Sequence, residues 1–141
     1  MKMKENPSLY LSTEDHQVIT LLLRSIKFPQ GSALKLKEEL SRAIVLGDSQ
    51  VPSDSVGLNS KVELEDLDLG EVETYELSLP SRANPDLNRV SILAPLGVAL
   101  LGVRAGEDFV WNTPGGLRRL RVVRVTRESK KASVHGPYSL V

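Results

Sequence analysis

The 141-residue chain has the length of one ordinary domain, and its 40% hydrophobic and 26% charged residues favour a packed core over wholesale disorder. Its 18 basic and 18 acidic residues cancel, which argues against a protein that holds nucleic acid by neutralising phosphates. The absence of cysteine excludes disulfides and zinc–thiolate sites. No apolar run is long enough to cross a bilayer, and the first residues are too polar for a signal peptide, so we expect a cytoplasmic protein.

The first two predicted elements are helices that form a short antiparallel hairpin. Ser12 followed by Asp15 resembles a capping box, and apolar residues then recur every three or four positions, which predicts a helix over residues 13–26. A second helix is expected over residues 32–47, ending at a glycine. Its apolar face is expected to contain Leu34, Leu36, Leu40, Ile44 and Val45.

The tip of this hairpin is the stretch "SIKFPQGS", in which Pro29 and Gly31 separate the two helices. Lys27 is its only charged residue. Phe28 is either an exposed apolar anchor for a partner, together with Pro29, or it folds back over the helix junction. The sequence alone leaves these two interpretations open.

After the hairpin, the apolar period changes from helical to two, which predicts a sheet. Strands are expected around Val62–Leu64 and Tyr75–Leu79 and over residues 89–94, 107–113 and 117–128, with a short helix over residues 95–102. We therefore predict an α+β protein. Its predicted parts are a hairpin (1–47), a linker (48–57), a sheet domain (58–128) and a flexible tail (129–141).

Charge is distributed unevenly along the predicted sheet. Residues 118–131 hold seven basic residues against one acid, and residues 61–76 hold seven acids. Pairing of these charges across neighbouring strands is favoured over a nucleic-acid site. The "TPGG" at 113–116 lacks the lysine and helix of a phosphate loop and is typical of a hairpin turn. We expect no catalytic residue, metal or cofactor site.

Several motifs in the same order resemble the C-terminal domain of the GreA/GreB transcription elongation factors: "VELEDLDLGE", "SILAPLGVALLGVRAGE" and "TPGG". The resemblance covers about residues 56–127. It implies an FKBP-like fold that docks on the rim of the secondary channel of bacterial RNA polymerase. It also implies that Ala94, Pro95, Leu96 and Gly97 form an exposed docking knuckle, whereas from spacing alone the leucines of this segment are equally well explained as core.

The hairpin differs from that of the cleavage factors in this family, whose long hairpin carries acidic residues that help to hold a catalytic magnesium. Here the arms are short and the tip has no carboxylate, as in the short-hairpin regulators of nucleoside diphosphate kinase. The resemblance therefore implies a non-enzymatic regulator that competes with Gre-type factors without stimulating RNA cleavage. Direct nucleic-acid contact is expected to be weak or indirect. The alternatives are a peptidyl-prolyl isomerase-like enzyme and a regulator of another protein, such as a kinase.

Overall fold

The computed structural model describes residues 9–127, so the predicted tail lies outside the described residues. These residues form a helical hairpin, a two-stranded sheet and a five-stranded sheet with a third helix. The helices are α1 (Thr13–Arg24), α2 (Ser32–Ser41) and α3 (Pro95–Leu100). The strands are β1 (Tyr10–Ser12), β2 (Ile44–Leu46), β3 (Lys61–Asp66), β4 (Val72–Ser78), β5 (Arg89–Ser91), β6 (Asp108–Thr113) and β7 (Gly116–Thr126). None of the helices within residues 9–127 is long and apolar enough to span a membrane.

The larger sheet has the strand order β5-β4-β3-β7-β6. Its neighbours are antiparallel except for β4 and β5, which pair in parallel. Burial alternates along β3, where Val62, Leu64 and Asp66 are buried and Lys61 is exposed. This alternation is the physical basis of the two-residue period, because successive side chains of a strand point to opposite faces. The predicted α+β class is confirmed, and each predicted strand is present, although the strand expected over residues 89–94 ends at Ser91.

The second helix ends earlier than predicted. It stops at Ser41, and the β-branched pair Ile44 and Val45 enters strand β2, which lies parallel to β1 with Tyr10 opposite Ile44. Both side chains are exposed, so they do not belong to an apolar helix face. Residues 44–46 are extended because they pair with β1, which lies more than 30 residues earlier in the sequence. Their spacing also fits a helix, so the sequence alone did not reveal this pairing.

The first helix begins as predicted and is tied to the sheet domain at its first turn. The Ser12 Oγ accepts a hydrogen bond from the Asp15 N–H at 3.0 Å, which caps the helix. The buried carboxylate of Asp15 accepts from the Leu58 N–H at 3.1 Å. A Cβ on Gly57 would lie 2.8 Å from the Asp15 Oδ2, so the chain passes close to this carboxylate. Asp15 therefore joins the hairpin to the start of the sheet domain.

One hydrophobic cluster runs from the hairpin into the sheet. It includes Ile19 and Leu36 from the helices, and Val62, Leu77 and Val122 from the sheet. The predicted linker, residues 48–57, contributes Val56 to this cluster, and Val51 and Ser55 of the linker are also buried. The Val56 N–H donates to the Val103 carbonyl, and the Gly102 N–H donates to the Val56 carbonyl, both at 2.9 Å.

We expect Asp15→Ala to lower the free energy of unfolding by about 1–3 kcal/mol, because the Leu58 N–H would lose its acceptor in a partly buried place. Glu14→Ala is the matched control, since Glu14 is exposed in the same first helical turn and its loss has a similar effect on the helix dipole. Urea unfolding of both variants measures the difference. Equal losses for the two would contradict the joining role of Asp15.

Candidate partner-docking surface

The segment that leaves β5 and starts α3 is held by one serine. The Ser91 Oγ accepts from the Leu93 N–H, and the Ser91 carbonyl accepts from the Ala94 N–H, both at 3.0 Å. Pro95 then occupies the first position of α3. Its fixed φ suits that position, where its missing N–H costs no helical hydrogen bond. The turn is therefore constrained by its own hydrogen bonds and by proline.

Only part of the predicted docking knuckle lies on the surface. Pro95 is exposed and Ala94 is half-buried, but Leu96 is only 5% exposed and Gly97 is buried as well. The expectation that all four residues form an exposed knuckle is therefore wrong for Leu96 and Gly97. The first turn of α3 directs the Leu96 side chain toward the inner face of the sheet, beside Leu64 and Leu120.

Gly97 is required by a close approach of two backbone segments. A Cβ at this position would overlap the carbonyl oxygen of Ser91 and would lie 3.1 Å from the Cα of Ile92. Both are backbone atoms, so they cannot make room by a change of rotamer as a side chain can. The glycine of the "APLG" stretch thus serves the packing of α3 on the end of β5.

Close to Leu96, the carboxylate of Asp66 lies on the buried face of β3, where the two-residue period predicts an apolar core residue. The buried Asp66 accepts two hydrogen bonds from Arg118, at 2.9 Å from Nε and 2.6 Å from Nη2. Its other oxygen accepts from the N–H groups of Asp68 and Leu69 at 2.9 and 3.0 Å. Hydrogen bonding to Arg118 is the main reason that the pKa of Asp66 lies below its ordinary value. The pair fastens the β3–β4 turn to β7.

Two aromatic residues complete this cluster. The Arg118 Cζ lies 5.8 Å from the centre of the Trp111 ring. The Tyr75 hydroxyl donates to Glu73 at 3.4 Å. The Trp111 Nε1 is buried without a hydrogen-bond partner. The cavity between these side chains and Leu96 has a volume of about 10 Å³, which is room for about one water molecule.

Sequence reasoning placed Asp66 only among the cross-strand charges and did not bring it together with Arg118 and Trp111. The signal in the sequence is the parity of β3, since Asp66 follows Val62 and Leu64 on the buried face. An aspartate at such a position needs a charged or hydrogen-bonding partner. Which arginine supplies it depends on the register of β7, and the sequence does not state that register.

The arginines of β7 are paired with acids of neighbouring strands and of the β3–β4 turn, and all but one of these acids lie in the predicted acidic stretch. Besides Arg118, Arg119 binds Asp68 at 2.6 Å and Arg124 lies 3.5 Å from Glu63. Arg121 binds Asp108 on β6 at 2.6 Å, outside the predicted acidic stretch. Each of these cations thus has an acidic partner within the sheet domain.

At the hairpin tip, Phe28 is exposed rather than folded back over the helix junction, and its role as an anchor for a partner stays a prediction. Its side chain is 75% exposed, and the Lys27 ammonium lies 5.7 Å from the ring centre. Pro29 is half-buried. The connection between the helices, residues 25–31, contains no carboxylate. No group of three or more metal-binding side chains occurs within residues 9–127.

The family model described as "Transcription elongation factor, GreA/GreB, C-term" matches residues 51–127. The chain belongs to the GreA/GreB family. The regulator of nucleoside diphosphate kinase of Escherichia coli K12 is 33% identical over 114 residues, covering 79% of this chain and 82% of that protein. GreA of Clostridium botulinum (strain Alaska E43) is 30% identical over 100 residues, covering 71% of this chain and 62% of that protein.

The solved structure of a prokaryotic transcription elongation factor GreA/GreB from Nitrosomonas europaea has a TM-score of 0.76 at 33% identity. It covers 86% of this chain and 100% of the other. The match therefore includes the hairpin as well as the region of the family model, and the fold described above is a GreA/GreB-like fold.

We expect Gly97→Ala to destabilise the protein by about 1–3 kcal/mol or more, because the added methyl group meets backbone rather than a movable side chain. Gly115→Ala is the control, since its Cβ would lie at an ordinary 3.8 Å from the Thr113 Oγ1. Thermal and urea unfolding measure both variants. Full stability of Gly97→Ala would show that the α3–β5 contact is not tight.

We expect Asp66→Asn to lose more stability at neutral pH than in acid. The pKa of Asp66 is lowered by folding, so its contribution is present above the ordinary value of 3.8 and is lost as the pH falls through the lower folded value. The difference in unfolding free energy between parent and variant should thus shrink below about pH 4. A difference that does not change with pH, in urea titrations from neutral to acid, would contradict the ion pair.

Proposed function

We propose that this protein is a regulator of transcription that binds bacterial RNA polymerase in the cytoplasm, at the rim of the secondary channel. Its sheet domain, which we propose is FKBP-like, would dock through the surface formed by Ala94 and Pro95. Membership in the GreA/GreB family supports the polymerase as partner. The exposure of Pro95 at a constrained turn is the observation that carries the assignment of the surface.

This turn has the physical properties of a docking surface. Its backbone is fixed by Ser91 and by proline, so little conformational entropy is lost when a partner binds. Ala94 is small and allows close approach. Leu96 and Gly97 contribute from beneath, by fixing the position of Pro95, rather than by contact with the partner.

The hairpin suits a role in obstruction rather than in catalysis. Helices α1 and α2 have 12 and 10 residues, so they are only about 15–18 Å long. A magnesium ion needs oxygen ligands, usually carboxylates, and the tip offers exposed Phe28 instead. We propose that the hairpin partly fills the channel entrance, with Phe28 and Pro29 as contacts, and excludes Gre-type factors by mass action.

The other functions considered find less support. The cavity beside Trp111 and Tyr75, about 10 Å³, leaves no room for the prolyl substrate of an isomerase. The pairing of the β7 arginines disfavours direct contact with nucleic acid through the sheet. The name of the Escherichia coli relative makes a nucleoside diphosphate kinase the second candidate partner.

We expect the protein to displace a fluorescently labelled GreA from core RNA polymerase, and Pro95→Asp to weaken this displacement about tenfold or more, because an aspartate places an unpaired charge in the contact. Aspartate is favourable at the first position of a helix, so the variant should fold. Pro85→Asp is the control, since Pro85 is also exposed and also opens a short helix, before β5 rather than after it.

Anisotropy of the labelled GreA measures the displacement, and circular dichroism checks each variant. In the same samples, RNA cleavage by backtracked polymerase should stay at its unstimulated rate when the protein replaces GreA. Equal displacement by Pro95→Asp and the parent would remove the docking assignment. Failure of the parent to bind polymerase, with saturable binding to the purified kinase, would favour the second candidate.

A further inference from the structure

A groove of about 350 Å³ lies between α1 and α2, within the hairpin and apart from the turn at Pro95; it shares Pro29 with the proposed hairpin contacts. Its apolar lining consists of Leu23, Ile26, Pro29 and Leu40. Its polar lining consists of His16, Thr20, Arg24, Lys27, Lys37 and Ser41. The volume lies in the range of about 300–1,000 Å³ that is usual for small-molecule sites. The groove thus combines an apolar floor with a cationic rim.

The three cations on the rim, Arg24, Lys27 and Lys37, are exposed and take part in none of the ion pairs formed within residues 9–127. The arginines of β7 differ in this respect, because acids on neighbouring strands neutralise them. An uncompensated positive cluster at a concave surface attracts anions.

The hydroxyl groups in the groove already donate within their own helices. The Thr20 Oγ1 donates to the His16 carbonyl at 2.7 Å, and the Ser41 Oγ donates to the Glu38 carbonyl at 2.6 Å. The cations therefore remain as the strong donors for a ligand. A ligand with several negative charges close together matches three cations around one groove better than a single carboxylate does.

We propose that this groove binds a nucleoside polyphosphate, with the phosphates between Arg24, Lys27 and Lys37 and the base on the floor formed by Leu23 and Leu40. A flat ring suits a floor that is only a few side chains long, whereas a docked acidic helix would need a longer apolar strip. The chain's own terminal segments, residues 1–8 and 128–141, each contain two lysines and one glutamate, so charge does not favour them as occupants.

The test is calorimetric titration of the full chain with ATP, and with tripolyphosphate and adenosine as separate ligands. We expect saturable binding of ATP with a dissociation constant below about 1 mM, and weaker binding of either part alone. Arg24→Glu and Lys37→Glu should each weaken ATP binding about tenfold or more, because each reversal replaces an attraction with a repulsion at short range.

Lys35→Glu is the matched control, since Lys35 is exposed on the same helix as Lys37 but does not line the groove. Equal weakening of ATP binding by Lys35→Glu would show that the net charge of the protein, and not the groove, is responsible, and it would overturn the proposed site. So would the absence of saturable ATP binding, tripolyphosphate binding as tight as ATP, or tighter binding of a short RNA or an acidic peptide. Pro95→Asp should leave ATP binding unchanged, which separates this proposal from the docking proposal.

Discussion

The proposed docking surface depends on the close approach of Gly97 to the backbone of Ser91. No larger residue fits there, so the contact fixes where α3 begins relative to the end of β5. Once that position is set, Leu96 must point into the domain and Pro95 must stay outside. Two consecutive residues of this apolar stretch thus differ in burial: Leu96 packs in the core, and Pro95 is exposed and available for the proposed docking.

The parts of the fold that follow from local physics could be predicted from the sequence. The start of α1 followed from a capping serine, α3 from Pro95 at its start, and β3 from strict alternation. The pairing of β2 with β1 could not be predicted, because Ile44 and Val45 also fit a helical period and their partner strand is distant.

The candidate site was predicted only in part, for a related reason. The expected exposure of the turn-rich segment holds for Pro95 but not for Leu96, because exposure is a property of the packed domain that the sequence does not show. The joining of Asp66, Arg118 and Trp111 depends on the register of three strands. The choice between an exposed and a folded-back Phe28 also needed the tertiary structure.

The molecule distributes its charge according to two different rules. In the sheet, arginines of β7 pair with acids of β3 and of the β3–β4 turn. In the hairpin, the cations around the groove lack such acids among the described residues. Asp15 joins the two parts through a partly buried hydrogen bond from the Leu58 N–H, in addition to the hydrophobic cluster that the hairpin and the sheet share.

Site-specific photo-crosslinking tests most directly whether the protein docks on RNA polymerase through Pro95. A photoreactive amino acid in place of Pro95, and in a second protein in place of Pro85, would be irradiated with purified core RNA polymerase. If the protein docks through Pro95, we expect a strong crosslink from position 95 to a polymerase subunit and little from position 85. Crosslinking from position 85 with none from position 95 would show that the protein docks through a different surface.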